Sequence, residues 1–179
     1  MPTPLMLSGL RAQVKPLRPD RATKQARSSL AQVLSEAGVV DAMVDDALLA
    51  VSEVAGNAAK HGKPPYEMRI FSVHGCPVWC DIFDGGDYLN LPEVFANLGQ
   101  GISQGIDEIS GRGLELVHWL THGRCDFYPA YTYLEPRLGK AVAFALPTRC
   151  SSPVAAQRPN ELIALPAEVP AAGVACGIA

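Results

Sequence analysis

Cysteine is scarce in this chain and shows no pairing pattern. Cys76, Cys80, Cys125, Cys150 and Cys176 make an odd number, and no two stand at Cys-x-x-Cys spacing. A disulfide framework is therefore not expected. His74, Cys76 and Cys80 flank one expected turn, but their spacing fits no standard zinc pattern and a fourth ligand is not evident. No basic region precedes the short apolar stretch in MPTPLMLSGLRAQVK, which makes it a poor secretory signal. No apolar run approaches the roughly 20 residues needed to span a membrane. Basic charge is also in short supply. The formal net charge is −3, so no broad positive field for direct nucleic-acid contact is expected. An anionic ligand would have to be held by local devices. These absences together point to a reduced, soluble, cytoplasmic protein without membrane attachment.

What is present is enough for a real core. Hydrophobic residues make up 48% of 179 residues, which suits one domain with spare length at its ends. Residues 1–9 read as irregular, with a short strand near 10–17. Residues 21–37 read as a helix, with Asp20 as N-cap and Gly38 as the stop. A second helix is predicted over 41–60. Val40, Met43, Val44, Ala47, Leu48, Val51, Val54, Ala55 and Ala58 recur there at helical spacing and form one apolar stripe. After His61-Gly62-Lys63-Pro64-Pro65 the period changes to that of strands, at 66–73 and 78–83, joined by a turn at His74-Gly75. Residues 85–110 are glycine-rich with little periodicity and read as a long functional loop. A helix over 113–122 follows, then strands at 124–128, 131–135 and 140–146. From Pro147 onward the chain is rich in Pro and Ala, and 148–179 reads as a disordered tail. Helix, helix, strands, helix, strands is the order of an α+β two-layer sandwich.

Three short elements could carry chemistry. In the first, Glu53 and Asn57 stand four apart and share one helix face, followed by His61 and Gly62. A carboxylate beside a neutral oxygen ligand can polarise a hydroxyl and hold Mg²⁺. In the second, Asp84-Gly85-Gly86 ends a strand. Its carboxylate can accept the amino group of adenine and would repel the carbonyl of guanine. In the third, Gly111-Arg112-Gly113-Leu114 opens a helix, where free backbone N–H groups and Arg112 can face phosphate oxygens. Taken singly, each has a plainer reading: a solvated face, an Asp-Gly turn, a flexible helix start. Their conjunction, in one order, decides for the functional reading.

With these residues the chain resembles the GHKL (Bergerat-type, HATPase) ATP-binding domains, and among them the short anti-sigma factor serine/threonine kinases. Glu53-x3-Asn57-x3-His61-Gly62 resembles that family's N box, Asp84-Gly85-Gly86 its first glycine box, and Gly111-Arg112-Gly113-Leu114 its second. Gly139-Lys140-Ala141-Val142 resembles the last strand, so the likeness spans 10–147. It implies a GHKL sandwich with ATP under a lid of residues 86–110. It also implies Mg²⁺ on Asn57, adenine on Asp84 and a catalytic base at Glu53. His61, Gly86, Gly111, Arg112, Gly113 and Leu114 complete the implied ATP-binding set. Gly56 and Ala141 stand where members often carry threonine, the latter near the phosphates or adenine.

The resemblance further implies a kinase that transfers the γ-phosphate of ATP to a STAS-type anti-anti-sigma protein and alternately sequesters a sigma factor, commonly as a homodimer. The alternative reading is a non-catalytic ATP-binding module that sets the shape of a protein-binding surface.

Overall fold

The computed structural model describes residues 9–39, 41–99, 111–134 and 137–148. The expected tail and the second half of the expected lid lie outside these residues. The first helix, α1 (Ala22–Glu36), buries Ala22, Ala26, Leu30 and Leu34, an i, i+4 row along one side. It stops at Gly38, whose φ of +68° suits glycine. The Gly38 N–H bonds the Ser35 carbonyl and the Val39 N–H bonds the Leu34 carbonyl, closing a Schellman cap. The expected Asp20 N-cap is not one. Pro19–Arg21 forms a 3₁₀ turn, and Asp20 instead meets the guanidinium groups of Arg18 at 3.2 Å and Arg21 at 3.5 Å.

The long helix α2 (Asp41–His61) lies against α1, with Ala47, Val51, Val54, Ala55 and Ala58 buried. A five-stranded antiparallel sheet backs both helices: β1 (Leu10–Pro16), β2 (Tyr66–Val73), β3 (Cys76–Asp84), β4 (Cys125–Tyr131) and β5 (Leu138–Ala145). Their order across the sheet is β1-β2-β3-β5-β4. The described residues hold two further α-helices, α3 (Leu91–Asn97) and α4 (Gly111–Leu120), the latter packed on α2. The architecture is the expected α+β two-layer sandwich.

Alternation along the strands sends two sets of side chains to opposite faces. Met68, Ile70, Cys80, Ile82, Val142 and Phe144 join Leu30, Leu34, Val51 and Val54 in the helix-side core. Phe71, Trp79, Phe83, Tyr128, Ala141 and Ala143 form a second cluster on the other face. Within that face lies a buried ion pair. Arg69 donates to both oxygens of Asp81, at 2.7 and 2.8 Å, and Tyr128 donates its hydroxyl to Asp81 as well. Burial would lower the Arg69 pKa, but the Asp81 carboxylate overrides it and holds the guanidinium charged. The same burial and the same carboxylate push the Tyr128 hydroxyl well up.

Three expectations change. The strands expected at 124–128 and 131–135 are one strand, β4, running through Pro129. β4 is an edge strand, so a residue without an N–H can sit there. Within the expected loop, 91–97 forms α3. Its Leu91, Val94 and Phe95, with Leu98 beyond its end, pack toward the core, and Phe95 meets Phe127 at a ring distance of 4.9 Å. Finally, Ala141 is in the second cluster beside Phe83, so its side chain is on the far face of the sheet from the helices.

Candidate functional site

On the helix side of the sheet, α2, α3, α4, β3 and β5 enclose a cavity of about 380 Å³. Its floor is one face of α2: Val54, Asn57, Ala58 and His61 stand at i, i+3, i+4 and i+7. The apolar stripe read from the sequence therefore continues into the site, and Asn57 sits at the edge of that stripe. Ile82 and Val142, directly opposite each other on β3 and β5, supply an apolar wall, with Leu91, Val94 and Leu114 from the other helices. Such a slot, mostly apolar with a few convergent polar groups, suits a flat ring with a polar tail.

One end of the cavity is built around Asp84. Its side chain is buried, and three donors converge on Oδ1: the Gly86 N–H at 2.8 Å, the Lys140 Nζ at 3.1 Å and the Lys63 N–H at 3.4 Å. Lys140 is the cross-strand partner of Asp84. The glycines around this carboxylate are there for want of room. A Cβ on Gly62 would lie 2.5 Å from Asp84 Cγ, and one on Gly86 would lie 2.7 Å from Asp84 Oδ1. A Cβ on Gly85 would meet the Pro64 carbonyl oxygen at 2.5 Å, and one on Gly139 would lie 2.3 Å from the Asp84 carbonyl oxygen. No side chain fits at any of the four without displacing a neighbour. The loop from α2 to β2 is held to this end by the Gly85 N–H bonding the Lys63 carbonyl at 2.6 Å and by the Tyr66 hydroxyl bonding the Gly62 carbonyl at 3.3 Å.

The other end is where α4 begins. A Cβ on Gly113 would fall 2.8 Å from Glu53 Oε2 and 3.3 Å from Asn57 Nδ2. The first turn of α4 thus lies directly against the Glu53/Asn57 pair, and glycine is what allows the approach. Helix N-termini carry free N–H groups and a partial positive charge, which favours phosphate oxygens. The structure therefore brings together Asn57, His61, Asp84, Gly86 and Leu114 as cavity lining, with Glu53 and Gly113 adjoining it. Gly111 opens α4, and Arg112 follows it with an exposed side chain in the first turn.

Several lining residues were not singled out from the sequence: Lys63, Asp87, Tyr88, Asn90, Leu91, Val94 and, most consequentially, Lys140. Strand parity could have found the last. Lys140 and Val142 share a face, and Ala141 must take the other. The threonine-like role sought at Ala141 therefore has no place at the cavity, and the polar β5 side chain there is Lys140.

An α+β sandwich with an Asp-Gly-Gly turn at one end of a slot and a glycine-opened helix against a Glu–Asn pair at the other is a nucleotide-binding domain. The model of the histidine kinase-like ATPase domain matches residues 16–124, more than half of the chain, and the chain belongs to that family. ATP binding comes with this membership. No curated protein matches the chain. Among the described residues, no helix is long and apolar enough to cross a membrane.

Proposed function

We propose that this chain is an ATP-dependent serine/threonine protein kinase acting as an anti-sigma switch. It phosphorylates a STAS-type anti-anti-sigma protein, and in its other state it sequesters a sigma factor. The observation that carries the kinase reading is the approach of Gly113 to Glu53 and Asn57, at 2.8 and 3.3 Å measured from its would-be Cβ. It supports a phosphate site with a carboxylate beside it, at the far end of the cavity from Asp84.

The residues fit the implied ion and substrate. The Asn57 side chain offers a neutral oxygen at the cavity floor, a suitable ligand for Mg²⁺. A Mg²⁺ ion held there would neutralise charge on the phosphate oxygens. Glu53 adjoins the cavity instead of lining it, which suits a group that acts on an incoming hydroxyl. Its carboxylate accepts the proton of a serine or threonine on the partner, orienting that oxygen toward the γ-phosphate. Asp84 and the apolar wall fix the base, and the first turn of α4 fixes the phosphates.

The test separates the two side chains. Asn57→Ala is expected to weaken Mg-ATP binding. Glu53→Ala is expected to leave binding nearly intact and to slow transfer of label from ATP to a STAS protein by about 10²–10⁴-fold. Transfer at the unmutated rate by Glu53→Ala would remove Glu53 from catalysis. If the unmutated chain binds ATP yet labels no STAS protein, the reading becomes a non-catalytic ATP-binding module that controls a protein partner.

A further inference from the structure

The helices and the cavity occupy one face of the sheet, and the other face is equally dry. β2 and β3 are buried almost without interruption, the pattern of strands covered on both sides. On the face away from the helices, Phe71 keeps 1% of its surface exposed, Trp79 3% and Ala143 0%. The indole N–H of Trp79 is buried without an acceptor, where an open face would bond it to water. Something therefore lies over these residues. Thr132, Tyr133 and Leu134 roof one end: they donate to the Glu67 carboxylate, and the Tyr133 ring is 5.6 Å from the Arg69 guanidinium. At the opposite end are Phe71, Val73, Val78, Trp79 and Ala145. There, among the described residues, the apolar cluster is built from strand residues, with the Arg124 guanidinium over the Trp79 ring.

We propose that the roof over this end is the chain's own segment 149–165, which makes the sheet the middle of three layers. The residues before the segment lead to the place. The Leu146 N–H bonds the Val78 carbonyl at 2.9 Å, and the Thr148 hydroxyl meets the Cys76 thiol, so the chain passes Thr148 at the border of that end. β5 lies inside the sheet, beside β3, so the next residues need only turn over Ala145 and Ala143 to reach Trp79 and Phe71. The length suffices. Neighbouring strands are about 4.8 Å apart, so crossing all five takes about 19 Å, or about six extended residues. The segment also carries apolar side chains for the contact, Val154, Leu162, Ile163 and Leu165, and its charges are confined to Arg149, Arg158 and Glu161. Residues 1–8 start from the same end of the sheet, because Leu10 pairs with Val73, but from the β1 edge, with β2 and β3 between them and Ala145. The roof is in place whether or not a nucleotide occupies the cavity.

The experiment uses the full chain with Trp119→Phe, which leaves Trp79 as its single tryptophan. Trp79 is expected to emit at short wavelength and to resist quenching by acrylamide. Adding Leu162→Asp with Ile163→Asp places two carboxylates in the contact, so the segment should lift off, Trp79 emission should move to the red and quenching should rise. Leu5→Asp with Leu7→Asp should change neither. Circular dichroism establishes that each variant is folded. Hydrogen exchange on the unmutated chain needs no variant: amides within 149–165 should exchange at least about tenfold more slowly than in a free peptide. Exchange at free-peptide rates throughout 149–165 would overturn the proposal, as would a folded Leu162→Asp/Ile163→Asp chain with unchanged Trp79 quenching. Exposure of Trp79 by the Leu5/Leu7 pair alone would overturn it in favour of residues 1–8. Quenching that rises on dilution of the unmutated tail would overturn it in favour of a second copy of the chain.

Discussion

Two glycines six positions apart should respond to alanine with opposite signs. Gly56 is inside α2, and a Cβ there would meet only Thr23 Oγ1, at 3.8 Å, an ordinary contact. Its backbone is helical, and glycine in a helix interior is less favourable than alanine by about 0.5–1 kcal/mol. Gly56→Ala should therefore stabilise the protein by about that amount, raising the melting temperature by about 1–4 °C for a chain of this size. Gly62, just past the end of the same helix, differs in its surroundings. A Cβ there would lie 2.5 Å from Asp84 Cγ and 2.6 Å from the Ala58 carbonyl oxygen. Relief to a normal carbon–carbon contact requires a shift of about 1 Å, and the Asp84 side chain is buried and held by three donors. Overpacking of this kind costs about 1–3 kcal/mol. The larger effect should be on nucleotide binding, because the displaced carboxylate loses its aim. A charge-assisted hydrogen bond of about 1.5–3 kcal/mol corresponds to a tenfold to hundredfold loss of ATP affinity. Denaturant titration gives the stability change and calorimetry gives the affinity. Destabilisation by Gly56→Ala, or a Gly62→Ala protein with unchanged stability and unchanged affinity, would refute the reasoning.

Two other predictions concern groups away from the cavity. Arg69→Met removes one half of a buried ion pair and leaves the Asp81 carboxylate fully buried, so a loss of about 3–5 kcal/mol is expected. Arg69→Met combined with Asp81→Leu should recover part of that loss in guanidinium unfolding, and a single mutant within about 1 kcal/mol of the unmutated protein would count against the pair's isolation from water. Burial pushes the Cys125 thiol up to about 11, so at pH 8 only about one molecule in a thousand carries its thiolate. Alkylation at Cys125, followed by mass spectrometry, should be slow at pH 8 and speed up about tenfold per pH unit toward pH 10; labelling at the rate of a free thiol would contradict this placement.

The elements that the sequence made legible are those whose pattern is local. Tyr66–Val73 matches its expected bounds because β-branched and aromatic residues run between a Pro-Pro step and His74-Gly75. Both turn residues indeed take positive φ, +50° and +82°. The three site elements were found because each sets chemistry-bearing residues within a few positions of one another: Glu53 and Asn57 one helical turn apart, Asp84 directly before Gly85-Gly86, and Arg112 between two glycines at a helix start. What stayed hidden depends on partners far along the chain. α3 has a helical signal of its own, Asn90 followed by Pro92 and apolar residues at 91, 94, 95 and 98, but the surrounding glycines masked it. The continuity of β4 through Pro129 follows only from its place at the edge of the sheet, which no local pattern reports. Lys140 was in view as part of a strand, yet its pairing with Asp84 is a matter of register across 56 residues of sequence.

The position of β5 has a consequence for the order in which the protein can be made. Among the described residues it is the last strand of the sheet in sequence, yet it lies between β3 and β4 and is the only strand that β4 pairs with. As the chain leaves the ribosome, β1, β2 and β3 can pair as soon as Asp84 has emerged. From then until Leu138–Ala145 follows, β3 presents an open, hydrogen-bonding edge, and the Asp84 carboxylate lacks the ammonium that will face it. A nascent chain of this length holds only three of these five strands and half of the binding site, and its β3 edge is one that another chain could occupy. The nucleotide cavity is complete only when β5 fills that gap with Lys140 and Val142, so closure of the sheet must precede ligand binding in the history of each molecule.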